Sequence, residues 1–170
     1  MPSKIRDYAK LLNRLKSALN NSSQIRTLGN IHNINDHYPF QKIYIGQNNP
    51  KRVLISAGIH GDEPAGIETI CAFLETQKYR SYLNKWDFII LPCINPYGYE
   101  FNIRENQANI DLNRMFKVNS PPIEVRLTQS IFNTSYFNLT LELHEDCDSN
   151  GYYLFQKSNK PLGVQLGYKI

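Results

Sequence analysis

The 170-residue sequence holds only three cysteines, Cys71, Cys93 and Cys147, with no C-x-x-C spacing among them. An odd, widely separated set excludes a disulfide framework and fits a reducing compartment. Long apolar runs are missing too: no stretch approaches the roughly 20 residues that a membrane-spanning helix needs. The N-terminus, MPSKIRDYAKLLNRLKSALNN, is charged throughout and lacks the apolar centre of a secretory leader. Nor does charge of one sign cluster. The net charge is +4, with 19 Lys and Arg spread among 15 Asp and Glu, so there is no nucleic-acid footprint. Internal repeats and low-complexity segments are also absent. Together these absences predict a soluble, cytoplasmic protein with neither membrane nor nucleic acid as a partner.

What is present is a chain that is 41% hydrophobic, long enough for one domain spanning residues 1–170 and its core. Ile5, Tyr8, Leu11, Leu12, Leu15 and Leu19 recur near helical spacing, which predicts an N-terminal helix within residues 1–22, stopped by NNSS. QIRTLGNI and FQKIYIG are short strand candidates around a polar loop. His32 and His37 fall in that loop and are expected to be solvated, without complementary ligands nearby.

The rhythm then becomes strand, helix, strand. KRVLISAGI is aliphatic and β-branched, EPAGIETICAFLETQKY is helical in composition, and WDFIILPCINP is an apolar run closed by Asn-Pro. An irregular stretch from Tyr97 to Pro122 follows, then a helix, IEVRLTQSIFNT, and a strand, FNLTLELH, ending at His144. This alternation predicts an α/β fold, a mixed and mostly parallel sheet flanked by helices. In such sheets ligands bind at the carboxyl ends of the strands. His60, Asn95 and His144 each follow a strand end, so one rim gathers three polar motifs.

GIHGDEP places His60, Asp62 and Glu63 at one turn. Catalytic zinc takes three protein ligands, often two His and one Glu, and keeps a fourth position open. His60 and Glu63, three residues apart, can reach one ion from the same side, and His144 is a third donor. The same residues also suit a plain loop, with Asp62 as a helix cap and Glu63 near the positive helix end. Farther on, NPYGYEFNIRENQANIDLNRMF holds Arg104, Asn113 and Arg114. Arginine's planar fork matches a carboxylate, although each arginine could equally be a surface residue paired with Glu105 or Asp111.

Taken together, GIHGDEPAG, then N-P-x-G with R-x-N and D-L-N-R-x-F, then ELHED resemble the M14 family of zinc carboxypeptidases. They are similar as well to the related succinylglutamate desuccinylase and aspartoacylase group. The resemblance runs from about Ile55 to Phe155 and implies a zinc-carboxypeptidase-like three-layer sandwich with one zinc per chain. It makes His60, Glu63 and His144 the zinc ligands. It also makes Arg104 the residue that polarises the scissile carbonyl, and Asn113 and Arg114 the grip on the substrate's carboxylate. The implied substrate is a peptide C-terminus or an N-acyl amino acid with a free carboxylate.

The family pattern includes a glutamate general base well downstream of the last histidine. Residues 145–170 are all that follow His144, and past the adjacent Glu145 they hold no glutamate. The chain therefore reads as a domain whose C-terminal part is missing, either a short hydrolase or a non-catalytic remnant that binds zinc or, through Arg104 and Arg114, carboxylates. Glu145 and Asp146 are the nearby acids. Neighbouring strand residues point to opposite faces, so Asp146 is the candidate base and Glu145 is expected to face away.

Overall fold

A computed structural model of the chain describes residues 3–20, 23–32, 37–146 and 148. Cys147 and the ending KPLGVQLGYKI lie outside them. Five strands, β1 (Ser23–His32), β2 (His37–Ile45), β3 (Lys51–Ala57), β4 (Trp86–Leu91) and β5 (Leu139–Leu143), form one sheet in the order β1-β2-β4-β3-β5. β1 and β2 are antiparallel, β2 and β4 are antiparallel, and β3 is parallel to both β4 and β5. β2 therefore runs against the other four strands, which all end on one rim.

Alternation along these strands divides the core. Ile55 pairs with Ile90, and Ile90 with Ile43, so these three share a face with Ala57. That face meets α2 (Ala65–Glu75), where Gly66 lies against Ala57 and Leu143. The reverse face carries Leu54, Ile89 and Leu91, all buried. There α4 (Ile123–Thr134) packs on β1, Leu127 lying over Gly29. Helices thus cover both faces of the sheet, giving three layers.

The N-terminal helix is shorter than its apolar pattern predicts: α1 spans Tyr8–Ala18, with Asp7 capping it by accepting from the Lys10 N–H. Tyr8, Leu11, Leu12 and Leu15 are its buried stripe. Ile5 stands outside the helix and is exposed. Residues 4–6 instead form an arm, with the Ile5 and Arg6 N–H groups donating to the Glu100 carbonyl. The stretch expected to be irregular contains a short helix, α3 (Pro96–Phe101), capped by Asn95, and a single 3-10 turn at Leu112–Arg114.

No helix among the described residues is long and apolar enough to cross a membrane. Cys71 and Cys93 are buried, unpaired thiols.

Candidate metal centre

The parallel ladder continues past its strands. Ile94 N–H donates to the Ala57 carbonyl and Asn95 N–H to the Gly58 carbonyl, which holds the loops after β3 and β4 side by side. Asn95 is fully buried. Its side-chain oxygen accepts from Gly98 N–H, and its amide donates to the Arg104 and Glu105 carbonyls. One asparagine thus caps α3 and fastens the arginine loop to the strand end.

His60 emerges from this junction almost fully buried, at 3% exposure. Its Nδ1 lies 2.6 Å from Glu63 Oε1, and its Nε2 lies 3.2 Å from Asp111 Oδ1. Once a cation takes Nδ1, Asp111 accepting at Nε2 would hold the imidazole proton there. His144, just past β5, places its Nδ1 2.7 Å from Glu63 Oε2. The two imidazole rings are 5.1 Å apart. Glu63 is the hub of the cluster, and it also accepts from the Glu145 N–H at 3.2 Å.

Burial would raise the Glu63 pKa, but hydrogen bonds from His144, the Glu145 amide and His60 outweigh it and hold the carboxyl below its usual value. Asp111 is likewise kept low: burial opposes ionisation, and His60 and Arg104 overcome it. The His144 imidazole is raised to about 8, first by Glu142 and then by Glu63, with burial working against both.

The donor set fits a metal. Ligand atoms from His60, Glu63 and His144 all lie within 4.8 Å of one another. Two neutral imidazole nitrogens and a carboxylate oxygen form the ligand set of a catalytic zinc that keeps one open position.

Arg104 leans over the cluster. Its Nη1 is 3.3 Å from Glu63 Oε1, and its Nη2 is 3.3 Å from Asp111 Oδ2. Arg114 is farther out, 76% exposed, with Nε 3.9 Å from Asp111 Oδ2. Asn113 is half-buried between them and gives its backbone N–H to Asp111 Oδ1 at 3.0 Å. The exposed Asp146 carboxylate accepts the Asp148 N–H at 2.9 Å.

Two roles differ from the sequence reading. Asp62 is exposed, and it is not the cap of α2. Glu145 serves there, its carboxylate accepting from Ala65 N–H at 3.0 Å. The partner of His60 is Asp111, which the sequence suggested only as an arginine's ion pair. Its signal lay in D-L-N-R, where the acid precedes both substrate-gripping candidates.

Residues 49–165 match the succinylglutamate desuccinylase/aspartoacylase catalytic domain. Carboxypeptidase 2 of Trichophyton tonsurans is 38% identical over 68 residues, which cover 37% of this chain and 13% of that protein. Among solved structures, a metallo-carboxypeptidase from Burkholderia cenocepacia superposes with a TM-score of 0.71 at 18% identity, over 85% of this chain and 42% of the other. A metallo-carboxypeptidase from Pseudomonas aeruginosa, in complex with (2-guanidinoethylmercapto)succinic acid, gives 0.68 at 20% identity over 85% and 40%. At such identities the structures share a fold. The chain spans less than half the length of these relatives.

Proposed function

The chain belongs to the succinylglutamate desuccinylase and aspartoacylase catalytic-domain family of hydrolases, and from that premise we propose that it is a zinc-dependent hydrolase of the metallocarboxypeptidase type. Its reaction is cleavage of an amide bond next to a free carboxylate, a peptide C-terminus being the first substrate class. The observation that carries this reading is the convergence of His60, Glu63 and His144 beside Arg104 and Arg114 on one rim.

His60, Glu63 and His144 would hold one zinc ion per chain. A zinc bound there supplies Lewis acidity, lowering the pKa of water and polarising a carbonyl. The chain's own groups do the rest. Arg114, exposed, and the adjacent Asn113 anchor the substrate carboxylate and so fix its register. Arg104 stands between Glu63 and Asp111, where its guanidinium can stabilise negative charge developing on the scissile oxygen. Asp111 fixes the His60 tautomer. Asp146 is the proposed base, taking a proton from the attacking water and returning it to the leaving amine. The Pseudomonas relative's ligand carries a succinate group, which supports a carboxylate-bearing substrate here. Buried free thiols at Cys71 and Cys93 support a reducing, cytoplasmic setting.

A second reading is hydrolysis of N-acyl amino acids, favoured by the family match itself. The two separate in one assay. Zinc-loaded protein is given an N-blocked dipeptide with a free C-terminus, the same dipeptide as its C-terminal amide, and N-succinylglutamate. Cleavage of the free dipeptide alone supports the peptidase, and cleavage of N-succinylglutamate alone supports the amidase. Equal cleavage of the free acid and its amide removes the carboxylate anchor. Loss of turnover in Asp146→Asn with zinc retained supports the base assignment, and full turnover refutes it.

A further inference from the structure

The chain has four histidines, and all four lie on the rim where β1, β3 and β5 end. His60 and His144 belong to the centre described above. His32 closes β1 and His37 opens β2, and they are direct Cα partners across the antiparallel hairpin. The sequence suggested two solvated residues without ligands, yet each is the other's partner. Their Nδ1 atoms are 2.8 Å apart and their ring centroids 4.9 Å apart.

We propose that His32 and His37 form a second metal site, a two-imidazole chelate that takes a square-planar divalent ion, copper(II) or nickel(II). Directly opposed residues of an antiparallel pair put their side chains on one face, so the backbone has already brought the donors together. Buried neighbours fix the register: Ile31 on β1 is 6% exposed, and Tyr38 on β2 is 3% exposed. Tyr38 is anchored further by donating its hydroxyl to Glu100 Oε2 at 2.8 Å. A one-residue slip of the hairpin would bury the histidines and expose these two. Little ordering remains to oppose binding.

Ligand type points to the ion class: imidazole suits copper and nickel, and copper(II) stands highest in the affinity order of the divalent ions. With metal–nitrogen bonds of about 2.0 Å, donors 2.8 Å apart subtend about 90° at the ion. That is the angle between adjacent ligands in the tetragonal geometry of copper(II) and nickel(II). Both imidazoles are exposed, which leaves the remaining positions to water. β1 and β3 are separated by β2 and β4, three inter-strand steps or about 14 Å. The pair therefore shares no ligand with the His60 centre, and neither assignment depends on the other. His32 also lines a cavity of about 550 Å³ with Tyr97, Asn106 and Met115, from the segment that carries Arg104 and Arg114.

The test uses the full chain, first saturated with zinc and then titrated with copper(II) against a competing chelator, for wild type, His32→Gln and His37→Gln. The expected result is one further copper per chain, bound at least tenfold more weakly by each variant, with the zinc content unchanged throughout. Electron paramagnetic resonance of the His60→Ala/His144→Ala double variant should show hyperfine coupling to two imidazole nitrogens, which decides the matter even if a His32 or His37 variant misfolds. Copper bound equally tightly by wild type and both variants, coupling to a single nitrogen, or uptake only with loss of zinc would each overturn the proposal.

Discussion

Gly61 and Gly98 meet backbone to backbone. A Cβ placed on Gly61 would lie 1.9 Å from the Gly98 carbonyl carbon, closer than any side chain can sit. Gly61 follows His60, and Gly98 belongs to the turn of α3 that Asn95 caps. This contact is how the ligand loop and the arginine loop become one unit. Gly61→Ala should therefore force the loops apart, costing roughly 3 kcal/mol of stability by overpacking and weakening zinc binding. Urea unfolding and chelator competition check the two effects. Wild-type zinc affinity in a folded Gly61→Ala would mean the junction does not position His60.

Asp111 joins His60 Nε2 to Arg104. Asp111→Asn keeps the shape of the side chain but loses its charge, so the tautomer of His60 is less firmly set. Zinc affinity should fall by about 10- to 100-fold, the usual loss when the partner of a ligating histidine is removed. Fluorescent-chelator competition measures it directly.

Arg114 touches the centre only through Asp111 at 3.9 Å, so it is free for substrate. Arg114→Ala should leave the zinc content at wild-type level while raising KM for a substrate with a free carboxylate by about 100-fold, a loss of near 3 kcal/mol for a charge-assisted anchor. Turnover of the corresponding amide should not change. An equal loss on both substrates would assign Arg114 to the fold instead of to recognition.

Away from the centre, Asp87 is fully buried and accepts from the Gln47 and Asn49 N–H groups, the Asn49 side-chain amide and the Tyr44 hydroxyl. Burial alone would raise its pKa, but these donors outweigh burial and hold it below the ordinary 3.8. Because the folded value is the lower one, the stabilisation is complete above pH 3.8 and is lost as pH falls through the folded value. Asp87→Ala leaves several donors unpaired and should cost roughly 3 kcal/mol at neutral pH. The gap between variant and wild type should narrow in strong acid, read from urea midpoints.

Much of this was legible in the sequence because it depends on local pattern. The aliphatic run before His60 and the apolar run before Asn95 identified β3 and β4, and their shared direction put both polar ends on one rim. Asn95 and Pro96 were read only as the close of an apolar run; their roles as cap and first residue of α3 were hidden by the Gly- and Asn-rich surroundings. Contacts between distant segments were not legible. Glu145 caps α2 from 80 positions away. Asp111 meets His60 across 51 positions, and no spacing rule ties them. His32 and His37 looked like loop residues because only the hairpin register makes them partners, and register is a tertiary outcome.

The central claim is tested most directly by the zinc content of the purified chain, measured by elemental analysis beside the His60→Ala/His144→Ala double variant. The account predicts about one zinc per wild-type chain and none above background in the variant. A wild-type chain that holds no more zinc than the double variant after zinc loading would contradict it.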